Sequence, residues 1–438
     1  MRLSIRTKIA RLSLLLMICI WLVTILGRIV TQSGTWASCI GWPICIPSEP
    51  AGFLKLAHLF MAGLASVMMI VVWRTGWREY RHHPSILPLI TVTGVLFFGQ
   101  ALVGSIEVAK FYPAHLVILH GFTAVSLWIS LGALVLTACL EKAEPLVHPS
   151  EPFRQRVKDF FALSKPLIVS LLLLTTYAGL VAGGKAWPAF SLAFWTLLGG
   201  ALAAGGSSAL NQYIDRELDR RMQRTAHRPL AEGRLTPVEG LSYGLSLCLA
   251  SYYVMAGFVN LLAALLSLAG IFYYVLFYSI WLKKATVQNI VIGGGAGAIP
   301  PMVGWAAATG ELSLAAWLLF AIVFMWTPPH FWALAIVRKQ DYEKAGVPIM
   351  PVVRGDRETR KQILIYTVEL IVVSFLLPVF NLAGWIYILS AVILGGTLFF
   401  SAWRVWKVGG NKVAWRMYRW SSMYLAFIFL AIMLDAVM

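Results

Sequence analysis

Apolar runs of about 18 to 25 residues recur along the whole chain, each long enough to cross a hydrocarbon core of roughly 30 Å as a helix. Thirteen such runs can be counted in the 438 residues. With 59% hydrophobic and 13% charged residues, the chain takes the bilayer as its solvent. The expected fold class is therefore an all-α membrane protein of thirteen transmembrane helices. The first run, residues 9–30, follows Arg2, Arg6, Lys8 and Arg11 but is too long for a secretion signal and lacks a small-residue cleavage site, so it reads as a retained span.

The formal charge of +17 resides in short loops between the runs, where basic residues set orientation. Membrane lipid and diphosphate are the partners this charge implies; nucleic acid is not. Placing the basic loops in the cytoplasm orients every span without contradiction. The N-terminus and loops 74–83, 211–234, 281–288 and 338–361 then lie inside, and loop 32–52 and the C-terminus lie outside, in the cytoplasmic membrane of the cell. The stretch 141–165 is the longest polar one and carries Pro145, Pro149 and Pro152. It divides the chain into a four-helix domain (1–140), a cytoplasmic linker (141–158) and a nine-helix domain (159–438). Of the five cysteines, Cys39 and Cys45 share one outer loop and form the expected disulfide.

The basic loops hold the chemistry. In loop 211–234, Asn211, Asp215 and Asp219 recur every four residues and share one helix face where a span leaves the membrane. Oxygen ligands on one face suit Mg²⁺, which takes a few carboxylates and fills its remaining positions with water or phosphate oxygens. Acids bordering hydrocarbon are functional candidates by default. Arg216, Arg220 and Arg221 read as ordinary headgroup-facing cations. The second loop carries Tyr278, Lys283, Lys284 and Asn289 ahead of a glycine-rich run, 293–297, that allows close helix approach. The third follows Trp326-Thr-Pro-Pro-His330-Phe-Trp332 with Arg338, Asp341 and Tyr342.

These three blocks resemble the intramembrane aromatic prenyltransferase superfamily, in the form found in haem O synthases, over about residues 153–438. The resemblance implies a prenyl-group transferase joining a farnesyl group from farnesyl diphosphate to a vinyl group of protohaem IX with addition of water. It implies Asn211, Asp215, Asp219, Arg224, Lys283 and Asp341 as catalytic residues, with Mg²⁺ on Asp215, Asp219 and Asp341. Lys165, Arg228, Lys284, Tyr278, Asn289, His330 and Arg338 would bind substrate. Trp326 and Trp332 could stabilise a cation by their π faces. A quinone or other aromatic acceptor, and a non-catalytic haem carrier or assembly factor, are the alternatives; the complete Asn211, Asp215 and Asp219 set weighs against the carrier.

The first four spans carry a second resemblance. Gly27-Arg28-Ile-Val-Thr-Gln-Ser33-Gly34 and Cys39-Ile-Gly-Trp42-Pro43-Ile-Cys45 are similar to one half of haem A synthase. That family implies haem iron bound by His58 and His120, with His115 a rival, and haem A synthase or oxidase assembly factors as partners. Where the family has a glutamate three residues before its first histidine, this chain has Lys55. A haem-handling domain fused to a prenyltransferase is the expectation.

Overall fold

The computed structural model describes residues 7–32, 50, 52–109, 114–140 and 152–438. Cys39, Cys45 and most of the expected linker lie outside the described residues, as do the side chains of Lys284 and His115. All regular structure among the described residues is helical, and thirteen helices are long and apolar enough to cross a membrane, matching the thirteen runs in the sequence.

The first compact unit comprises residues 1–153 together with 236–249. Helices α1 (Lys8–Gln32), α2 (Gly52–Glu79), α3 (Ile86–Ala109) and α4 (Ala114–Leu140) pack α1 on α2, α2 on α3, α3 on α4 and α4 on α1, closing a four-helix ring. Lys8 Nζ and Glu79 Oε1, 2.5 Å apart, tie the first helix's start to the second helix's end. Glycines set the closest approaches. A Cβ on Gly94 would stand 2.1 Å from the Trp73 ring, and one on Gly76 2.6 Å from Ile90.

The second unit comprises residues 154–235 and 250–438. Its divide departs from the sequence boundary at two places. Residues 153–163 form a helix, α5 (Phe153–Leu163), that begins inside the expected linker (141–158) and runs past its end, and the first half of α9 (Pro237–Phe258) groups with the first unit. The remaining elements are α6 (Pro166–Gly184), α7 (Phe190–Arg220), the short α8 (Pro229–Glu232) and α10 (Leu261–Phe272). A π-helix, Tyr273–Leu282, continues α10 and leads through α11 (Lys283–Ala285) to α12 (Asn289–Thr309). Then come α13 (Leu314–Val337), α14 (Lys339–Lys344), α15 (Met350–Val353), α16 (Gly355–Val379), α17 (Trp385–Lys407) and α18 (Asn411–Val437).

The tightest crossing is α6 on α12. Lipid tails supply no hydrophobic drive between helices, so small residues that bring backbones together carry the association. A Cβ on Gly304 would lie 1.8 Å from Thr176 O, and one on Gly179 2.1 Å from Pro301 O. The run 293–297 serves the same end only in part. Gly293 faces Tyr278, Gly294 faces Thr327 and Gly295 faces Tyr273, whereas Gly297 has open space at its Cβ. Behind these contacts, α13, α16, α17 and α18 bury a core that includes Trp332, Tyr387, Tyr424 and Phe429.

Candidate active site

The last three turns of α7 place Asn211, Asp215 and Asp219 on one buried face, each 5% exposed or less. Carboxylates so placed need cationic partners, because burying an unpaired charge costs several kcal/mol. Lys283 Nζ donates to Asp215 Oδ2 at 2.6 Å, and an Arg228 guanidinium nitrogen to Asp219 Oδ2 at 2.7 Å. Asn211 links the set, its amide nitrogen donating to Asp215 Oδ2 at 2.8 Å and to Ser279 Oγ at 3.1 Å. Lys165 Nζ donates to Asn211 Oδ1 at 3.2 Å.

Each cation is held by local structure. Lys165 adopts a left-handed backbone (φ 47°, ψ 62°) immediately before Pro166 opens α6, a conformation unusual for a residue with a side chain. Burial, and then the Arg228 guanidinium beside it, bring the Lys165 ammonium down to about 7, against the opposing pull of Asp219 and Asp215. Gln212, next to Asn211, donates to Leu163 O at 2.8 Å and so fixes the end of α5 against α7. Lys283 follows the π-helix, whose wider turn brings Tyr274 and Ser279 toward α7, with Ser279 Oγ donating to Tyr274 O at 2.9 Å. Such segments cluster at functional sites. Asn289 secures the Lys283 loop by donating to Lys283 O at 3.1 Å.

Three buried acceptors in this region have no partner: Asp215 Oδ1, Asn289 Oδ1 and Asp341 Oδ2. Arg338 contributes an unpartnered donor, its Nε. Among the described residues no three Asp, Glu, His or Cys side chains converge as a ready-made metal cluster. That combination suits Mg²⁺, which binds through one or two carboxylates with the other positions filled by substrate phosphate and water, better than it suits an ion held by protein alone.

The structure links Lys165, Asn211, Asp215, Lys283 and Asn289 in one chain of contacts, and pairs Asp219 with Arg228 one turn further along α7. Tyr278 stacks on Tyr274 at 5.6 Å. Arg224 is exposed, yet acts with Arg228 and Asp341 on Tyr342, whose hydroxyl is held protonated chiefly by burial. Trp332 points elsewhere, packing edge-on to Tyr366 in the helical core. Arg216 covers the Tyr213 ring and Arg220 pairs with Glu217. Sequence reading did not single out Gln212, Tyr274, Ser279 or Tyr342 as site residues. A π-helix has no sequence signature of its own, so Tyr274 and Ser279 had none; Tyr342 adjoins Asp341, which was a signal available.

The UbiA prenyltransferase family model matches residues 172–428. A protoheme IX farnesyltransferase of Roseiflexus sp. (strain RS-1) is 40% identical over 442 residues, covering 95% of this chain and 82% of that one. Its counterpart in Symbiobacterium thermophilum is 48% identical over 283 residues, covering 64% of this chain and 95% of the shorter protein. Among solved structures, a digeranylgeranylglyceryl phosphate synthase shares the fold, with a TM-score of 0.55 at 14% identity over 65% of this chain and 99% of that one.

The Lys165 ammonium predicts a pH dependence of anion binding. Below about pH 7 it is charged and attracts an anion; above, it is neutral and must take up a proton on binding. Inorganic diphosphate should therefore lose affinity in the wild type, relative to Lys165→Gln, by up to about tenfold per pH unit above 7. Isothermal titration between pH 6 and 8.5 measures it, and parallel curves for the two proteins contradict the assignment.

Proposed function

The chain belongs to the UbiA prenyltransferase family, and on that premise we propose that it transfers the farnesyl group of farnesyl diphosphate to a vinyl group of protohaem IX, adding water to give haem O. The observation that carries this reading is the buried Asn211, Asp215 and Asp219 face, met by cations from three other segments. The family's enzymatic character accords with it, as does the farnesyltransferase name of a relative aligned over 95% of the chain.

Breaking the allylic C–O bond leaves its electron pair on the diphosphate, so fixed positive charge must stand where that charge develops. Lys165, Arg228, Lys283 and Arg224 supply it. Asp215 and Asp219 would hold Mg²⁺ and Asp341 a second such ion, whose chemistry here would be to neutralise charge on the departing diphosphate. With those carboxylates otherwise engaged, Lys283 and Arg228 are free to turn their donors to phosphate oxygens. Tyr274 and Tyr278 line the π-helix beside Asp215 and offer aromatic faces to the allyl cation while excluding water. The vinyl carbon attacks that cation; water then closes the resulting porphyrin-side cation and gives up a proton.

A further part of the reading concerns the first unit, as a haem-binding domain of haem A synthase type with His58 and His120 on the iron. His58 Nδ1 lies 3.0 Å from Val23 O, which leaves Nε2 for a metal. Both imidazoles lie against glycines, since a Cβ on Gly27 would stand 2.9 Å from His58 and one on Gly104 2.8 Å from His120. The two rings are also near enough to interact electrostatically. Lys55, one turn before His58, is buried and suits a haem propionate. The orientation we assign, with the N-terminus and the three basic loops cytoplasmic and the C-terminus outside, follows the basic loops. A cysteine at position 344 should label only from the cytoplasmic side; labelling from outside would invert the topology.

Asp215→Ala and Asp219→Ala should each lower haem O formation at least a hundredfold, about 2.7 kcal/mol of barrier. Because Asp215→Ala strands the Lys283 charge, Asp215→Asn serves as the isosteric companion, and its membrane yield should match wild type. Near-normal turnover in all three removes the metal assignment. For the first unit, His58→Ala and His120→Ala in the full chain should each change the spectrum of bound haem without lowering farnesyl transfer more than a few fold. Unchanged spectra in both would exclude these ligands.

A further inference from the structure

His330 has one committed nitrogen and one unused one. It lies within α13, 8% exposed, with Nδ1 2.7 Å from Ser421 Oγ on α18. The Ser421 hydroxyl gives its own proton to Tyr418 O at 2.8 Å, so toward the imidazole its oxygen accepts. Nδ1 therefore carries the hydrogen and Nε2 the lone pair. The Tyr418 backbone is a further hydrogen-bond partner of the ring, and the one side-chain partner among the described residues, Ser421, is on Nδ1. The ring is clamped between Trp326, 4.2 Å away at 22°, and Tyr418, 4.5 Å away at 30°. Trp326 is itself fixed by its indole N–H, which donates to Ser421 O at 2.7 Å. The imidazole cannot flip without breaking these contacts.

A lone pair held in one orientation by its ring's other contacts is available to an occupant from outside the chain. Its position indicates the occupant. Tyr342 acts electrostatically with Arg224, Arg228 and Asp341 on one side and with Tyr418, the ring that covers His330, on the other. Tyr418 and Tyr342 thus connect His330 with the end of the bundle that carries Arg224, Arg228 and Asp341.

We propose that His330 Nε2 is the axial ligand to the iron of the haem substrate, holding the porphyrin so that a vinyl group faces the prenyl carbon. The inference rests on the reading of the reaction above. Nε2 donates its electron pair to iron, displacing any water held at that position, and no proton moves. An Nδ1–H donated to a fixed oxygen is the arrangement that sets tautomer and ring plane in metal-bound imidazoles. The same nitrogen acting as base toward the closing water would leave a buried imidazolium on a neutral hydroxyl. No carboxylate contacts the ring among the described residues, so that state has nothing to stabilise it.

The test is a titration of the purified full-length protein with ferric protohaem IX, without prenyl diphosphate, in a His58→Ala/His120→Ala background. Low-spin absorption and EPR signals should appear, vanish in His330→Ala and return on adding imidazole to His330→Gly. Metal-free protoporphyrin IX should bind at least tenfold more weakly than haem. Inorganic diphosphate affinity, equal in wild type and His330→Ala, certifies the fold. With that affinity retained, a haem spectrum and affinity indifferent to His330→Ala overturn the ligation, and lost turnover in that same variant would then identify the base role instead. A His330-dependent spectrum in a protein that forms no prenylated haem would keep the ligation and discard the proposed reaction.

Discussion

Everything in the second unit is arranged around two carboxylates held in a place where carboxylates are expensive. Asp215 and Asp219 are each 3% exposed at the end of a membrane helix. Their charge is tolerable only because Lys283 and Arg228 reach them from separate segments of the chain. This is a high-energy arrangement to maintain for stability alone, since a well-packed apolar pair is often as stable as a buried ion pair. On the proposed reading, its value is that the cations and anions can exchange partners. In the proposed reaction diphosphate would offer oxygens to Lys283 and Arg228 while Mg²⁺ would offer charge to the aspartates, so substrate binding would replace one set of pairs with another.

The surrounding helices keep that exchange local. Gly179 and Gly304 let α6, the helix that Lys165 precedes, meet α12 backbone to backbone. The π-helix carries Tyr274, Tyr278 and Ser279, so one irregular segment supplies both an aromatic wall and a hydrogen-bond partner for Asn211. Trp326, His330, Tyr418 and Ser421 form a second fixed group, the one to which the proposed reading assigns the acceptor. A reaction that joins a charged, water-sensitive intermediate to a flat macrocycle needs both groups rigid before either substrate arrives.

Much of this was legible in the residues. The thirteen spans follow from length and hydropathy, and the spacing of four in Asn211, Asp215 and Asp219 dictates a shared face whatever the tertiary context. Lys283 and Arg228 were recognisable as cations near that face, but their individual partners depend on how distant loops close. Lys165 could be suspected, though its left-handed backbone could not, because Ser-Lys-Pro does not announce that conformation. Tyr274 and Ser279 face the site through a π turn, and a periodicity of 3.6 residues assigns them elsewhere. The helix 153–163 was hidden within a stretch whose charges and prolines read as linker. In the first unit, Lys55 and His58 are one turn apart by spacing alone, whereas the glycine contacts of both histidines appear only in three dimensions.

The central claim is that the buried acidic face of α7 serves transfer of a prenyl group to haem, and product mass tests it most directly. Purified full-length protein, given protohaem IX, farnesyl diphosphate and Mg²⁺, should yield a haem whose mass exceeds the substrate's by one farnesyl group in place of a proton plus one water, with release of one diphosphate per haem converted. Unmodified haem beside a prenylated quinone or other aromatic, in a preparation offered both acceptors, would contradict the account.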